Sequence, residues 1–144
     1  MVFDLPQVIA VTWQIIQEAG LSNRITCVGG DLRVDPWPPG ADLILLSSIV
    51  SCYEPQTVQA LLAHAQVYLP SGGHLLLHDF AVSADRSGPH NPALFLFGQL
   101  SGAAQTWAYT VDELGVAMQK AGFVDVTIQP FLPDLTFLLS GRKP

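Results

Sequence analysis

Charge is scarce in this sequence. Only 12% of its 144 residues are charged, against 49% hydrophobic, and six Lys and Arg face twelve Asp and Glu for a net charge of −6. That composition excludes a disordered chain, and the lack of basic residues excludes a nucleic-acid partner, whose phosphates need a basic face. No apolar run approaches the roughly 20 residues of a membrane helix, so no membrane partner is expected. Cysteine occurs only at Cys27 and Cys52, in no CxxC pattern, and both fall in or beside apolar strands where reduced thiols are common. With no basic stretch before an apolar segment at the N-terminus, the chain reads as cytoplasmic. A GxGxxG loop is also missing, which leaves hydride transfer on a nicotinamide cofactor with little support. No metal site is expected either. His74 and His78 share a strand face, but four strand steps separate them by about 13 Å, too far for one ion.

What is present is long enough for one domain with a real core. Its centre is the apolar run at residues 41–50, Ala-Asp-Leu-Ile-Leu-Leu-Ser-Ser-Ile-Val, which reads as a strand buried on both faces, as in a helix-covered parallel sheet. Ligands of doubly wound sheets lie outside the carboxyl ends of the strands, so residues 47–53 should border a site. Before this strand, Val2-Phe3-Asp4-Leu5 reads as a strand end, and Pro6 opens a helix with apolar Val8, Val11, Ile15 and Ile16 and a C-terminal Gly20. A short strand follows near residues 25–28. After the central strand, residues 55–69 form a helix, residues 74–80 a buried strand, and residues 91–100 a helix that is apolar nearly all round. Thr110-Val111-Asp112-Glu113 is a capping box for a helix closed by Gly122. Residues 124–131 and 135–140 read as two strands with a tight connection, hence antiparallel. The fold class is α/β, a mostly parallel sheet with a C-terminal antiparallel hairpin.

Several of these segments, in this order, carry a resemblance. Val2-Phe3-Asp4-Leu5-Pro6, Arg24-Ile25 with Gly30-Asp31, Ala41-Asp42-Leu43, Leu69-Pro70-Ser71-Gly72-Gly73 and Ala121-Gly122-Phe123 are similar to the S-adenosylmethionine-dependent O-methyltransferases of plants and bacteria. The resemblance implies a Rossmann-like three-layer sandwich. It also implies that residues 1–144 are a partial catalytic domain, with the first strand and its GxGxG loop missing.

The resemblance further implies S-adenosylmethionine as cofactor and a small, aromatic or polyketide-like acceptor as partner. A homodimer is implied for the full-length form. Asp4 would accept hydrogen bonds from the ribose hydroxyls, as carboxylates at second-strand ends do; its other reading is a charge placed at a helix N-terminus. Asp31 and Leu32 resemble the residues beside the adenine ring, or Asp31 is simply an Asp in a glycine turn. Ser47 stands where many plant members carry a cofactor-contacting Lys. Ser51 stands where the family has its base His, and an isolated hydroxyl is a poor base. His78 is the substitute candidate, with a packed strand His as the alternative. Phe95 and Trp107, with Phe97 and Leu100, would wall an aromatic pocket or pack in a core. The competing function is a non-catalytic Rossmann-like remnant or interaction module.

Overall fold

A computed structural model describes residues 1–100 and 106–144, with the side chain of Leu100 left outside the description. The chain divides into two compact units, Met1–Gly40 and Ala41–Pro144.

The first unit is a βαβ element. Strand β1, Val2–Asp4, pairs in parallel with β2, Cys27–Gly29, and helix α1, Pro6–Glu18, connects them. Pro6 suits the first helical turn because its missing N–H would have no partner there. The helix ends at Gly20, whose φ of 68° a side chain would oppose. Gly20 N–H donates to Gln17 O and Leu21 N–H to Ile16 O, which satisfies the last carbonyls. Only Ile16 of the expected apolar face is buried; Val8, Val11 and Ile15 are exposed. A Cβ at Gly30 would lie 2.5 Å from the Phe3 ring, so a larger residue there would force that ring to move.

The second unit is a mixed four-stranded sheet in the order β3-β4-β6-β5. Strand β3, Leu43–Ser47, runs parallel to β4, His74–Phe80. Strand β6, Thr136–Arg142, is antiparallel to both β4 and β5, Val124–Leu132. Helix α2, Pro55–Tyr68, connects β3 to β4; α3, His90–Leu100, and α4, Val111–Lys120, follow β4. Alternation along the strands sends Leu75, Leu77, Asp79 and Leu139 to one buried face. Leu61, Leu62 and Ala65 of α2 and Leu114 and Met118 of α4 are buried with them and form the core. Lys143 Nζ donates to Leu69 O at 2.7 Å and to Gln66 O, closing the carbonyl end of α2.

Two expectations for the central strand are corrected. It is not buried on both faces: Leu43 and Leu45, whose side chains share one face of β3, are 49% and 53% exposed. Nor does it run to Val50. Ser48 adopts a left-handed φ of 55°, and Val50–Cys52 then form a 3-10 turn. The chain thus turns at the carboxyl edge of the sheet three residues earlier than its apolar run suggests.

Candidate functional site

Within the second unit, the carboxyl ends of β3 and β4 bring Ser47 and His78 into register on one face. Ser47 Oγ lies 2.9 Å from His78 Nδ1. His78 Nε2 lies 3.1 Å from Oγ1 of the buried Thr136, which also accepts from Leu132 N–H at 3.3 Å. Both ring nitrogens therefore meet hydroxyls. Phe131 packs edge-on against the imidazole at 4.9 Å between centroids. Two residues along the same face of β4, Phe80 stacks on Phe95 at 3.8 Å. The strand ends thus carry a hydrogen-bonded imidazole with Phe131 at its edge and, two residues along, a stacked Phe80–Phe95 pair.

Asp79 points to the opposite face and is fully buried. Its Oδ2 accepts from Ser51 N–H at 3.1 Å and its Oδ1 from Phe80 N–H at 2.8 Å. This carboxylate ties the 3-10 turn to β4. Ser51 O in turn accepts from Trp107 N–H at 2.9 Å. Ser51 Oγ is buried and has no hydrogen-bond partner among the described residues, so nothing there activates it as a base. Burial raises the Cys52 thiol pKa, with the Asp79 charge adding to the effect.

Trp107 lines a cleft of about 580 Å³ together with Val58, Tyr109, Leu114 and Lys120, and Phe95 is not among its walls. Tyr109 donates to Tyr53 O at 2.8 Å; burial first, then Glu113 and Glu54, push its pKa up. At the α4 N-terminus the capping box forms as the sequence predicts. Glu113 N–H donates to Thr110 Oγ1 and Thr110 N–H to Glu113 Oε2. Arg86 Nη2 donates to Glu113 Oε1 at 2.7 Å and Nη1 to Ala108 O, which pins the preceding loop. Phe97 is exposed on α3, and Leu100 lies outside the described side chains.

In the first unit, Asp4 stands at the carboxyl end of β1. Its Oδ1 accepts from Leu5 N–H at 2.7 Å, while Oδ2 takes no bond from the described residues. One carboxylate oxygen is thus free to accept a ligand hydroxyl. Asp31 differs. Arg33 donates Nε to Oδ1 at 2.9 Å and Nη2 to Oδ2 at 2.6 Å, and its backbone N–H also reaches Oδ1. These bonds hold the carboxyl at about 2, below the usual carboxylate value. Leu32 O accepts from the buried Trp37 indole at 2.8 Å. Asp31 and Leu32 therefore both shape a turn.

Sequence reasoning missed Thr136 and the structural task of Asp79. Neither carries a local signal: Thr136 meets His78 only through the register of β6 on β4, and Asp79 meets Ser51 across 28 residues.

Comparison with known proteins identifies relatives of the chain. A 3-hydroxy-5-methyl-1-naphthoate 3-O-methyltransferase of Streptomyces sahachiroi is 34% identical over 99% of the chain. An L-tyrosine C(3)-methyltransferase of Streptomyces lavendulae is 32% identical over 89%. The solved structure of PigF with SAH superposes with a TM-score of 0.89 at 27% identity over 98% of the chain; PigF is an S-adenosyl-L-methionine-dependent methyl transferase of Serratia. The chain spans 41%, 35% and 42% of the lengths of these three proteins. Residues 1–124 match the O-methyltransferase domain, and the chain belongs to that family.

Proposed function

We propose that the chain takes part in methyl transfer from S-adenosylmethionine to a small aromatic or polyketide-like acceptor. The observation that carries this reading is the family match over residues 1–124. When bound, the cofactor supplies an electrophilic sulfonium methyl. Asp4 suits the ribose hydroxyls, since Oδ2 is free while Oδ1 is fixed by Leu5 N–H. Asp31 and Leu32 are assigned to the adenine end, where Asp31 would have to share its oxygens with Arg33. Ser47 is assigned to the cofactor at the strand ends. Phe131 beside His78 and the stacked Phe80 and Phe95 two residues along β4 suit an apolar, flat acceptor. The finer architecture belongs to the same reading: a three-layer Rossmann-like sandwich in the whole protein, which acts in the cytoplasm and as a homodimer.

Rate acceleration in this scheme rests on positioning, because Ser51 cannot serve as a strong base. His78 is the candidate base, and its competence turns on which ring nitrogen carries the proton. The test is transfer itself. The chain is incubated with S-adenosylmethionine and hydroxylated aromatic acids, and products are weighed for one added methyl. Slow transfer that Asp4→Ala abolishes supports the reading.

A second reading, a non-catalytic Rossmann-like module, draws on one observation: the exposed Leu43 and Leu45 on the end strand β3 present an open edge for another polypeptide. Absence of both transfer and cofactor binding favours it.

A further inference from the structure

The hydrogen bonds around His78 decide its tautomer. Thr136 Oγ1 already accepts from Leu132 N–H, and the described residues offer its hydroxyl proton one acceptor, His78 Nε2. If Nε2 carried the ring proton, that proton would point at Oγ1, and the buried Thr136 hydroxyl proton would have no acceptor. If Nδ1 carries it, every group is satisfied: Thr136 O–H donates to Nε2, and Nδ1–H donates to Ser47 Oγ at 2.9 Å. The Ser47 hydroxyl proton is then left over. Ser47 is exposed at the carboxyl end of β3, so this proton faces outward from the protein's own network.

We propose that Thr136 is a positioning residue that fixes His78 as the Nδ1–H tautomer and thereby leaves the Ser47 hydroxyl proton available to an acceptor atom outside the protein's own network. On this arrangement His78 is not a general base at rest. Its one lone pair, at Nε2, is capped by Thr136, and its other nitrogen is already a donor. That the acceptor is a bound cofactor or substrate rests on the methyl-transfer reading; the tautomer does not.

The test is nitrogen NMR of His78 in the full chain at mildly alkaline pH, without cofactor. Leaving a buried hydroxyl unsatisfied disfavours the Nε2–H form, so the Nδ1–H form should dominate by about tenfold or more. Thr136→Val, which can neither donate nor accept, should bring the two tautomers near balance, and Thr136→Ser should restore the preference. A wild-type ring protonated at Nε2, or at both nitrogens, would overturn the proposal, as would a Thr136→Val spectrum identical to wild type. Should Thr136→Val fail to fold, the wild-type and Thr136→Ser spectra still decide it. Failure of the methyl-transfer reading appears elsewhere, as absent cofactor binding with an unchanged His78 spectrum.

Discussion

Replacing Asp79 by Ala tests how the strand edge is held. The carboxylate is fully buried, and each oxygen accepts one backbone N–H, from Ser51 at 3.1 Å and from Phe80 at 2.8 Å. Removing it leaves the Ser51 N–H buried without an acceptor, which costs about 1 to 3 kcal/mol, and hydrogen bonds to a charged group lie toward the upper end. A loss of about 3 kcal/mol is therefore expected. With a urea m-value of about 2 kcal/mol per molar, the unfolding midpoint should fall by roughly 1.5 M. Asp79→Asn should also destabilise, because its amide N–H₂ must face one of the two backbone donors. Indole fluorescence should change as well, since the Trp107 backbone N–H donates to Ser51 O and ties that residue to the displaced turn. A loss below about 0.5 kcal/mol, the range of surface substitutions, would refute the reasoning. So would an Asn variant more stable than wild type, which would mean that the cost of burying the charge outweighs its hydrogen bonds.

Thr110→Ala removes the side-chain half of the capping box on α4 and should lower stability by about 1 kcal/mol, read from the urea midpoint. The Asp31 carboxyl, held at about 2 by Arg33, stabilises its turn fully above the unfolded value near 3.8 and loses that contribution as pH falls through about 2. Carbon NMR titration of Asp31 should show the low value, and Arg33→Gln should return it toward the ordinary range. An unchanged titration in that variant would remove Arg33 as the cause.

Much of the fold is written locally. Pro6 and Gly20 bracket α1, the Thr110 and Glu113 pair opens α4, and Gly122, with a φ of 93°, closes it. Each is a short-range signal that the backbone obeys wherever the element packs. The burial of β3 was not legible, because an apolar run reports what a strand can bury and not which neighbours cover it. The early end of that strand depends on Ser48, a residue type with no strong demand for a left-handed conformation. At the site, His78 and Ser51 were visible as chemistry-bearing residues, but their partners were not. Thr136 and Asp79 reach them through strand register and long-range contacts, and the stacking of Phe95 on Phe80 needs the placement of α3. Asp31 reads equally well from sequence as a ligand contact or a turn residue, and the Arg33 bonds to both of its oxygens are a further partner that the sequence does not show.

The proposed function rests most directly on Asp4 as the contact to the ribose hydroxyls of S-adenosylmethionine. Calorimetric titration of the 144-residue chain tests it directly. These 144 residues contain no GxGxG sequence whose amides could hold a carboxylate, so titrated alone they would forgo at least two charge-assisted hydrogen bonds of about 1.5 to 3 kcal/mol each and bind at least about 100-fold more weakly than micromolar. The account predicts weak, saturable binding on the order of millimolar, reduced about tenfold or more in Asp4→Ala. No saturable binding, or micromolar binding that Asp4→Ala leaves unchanged, would contradict it.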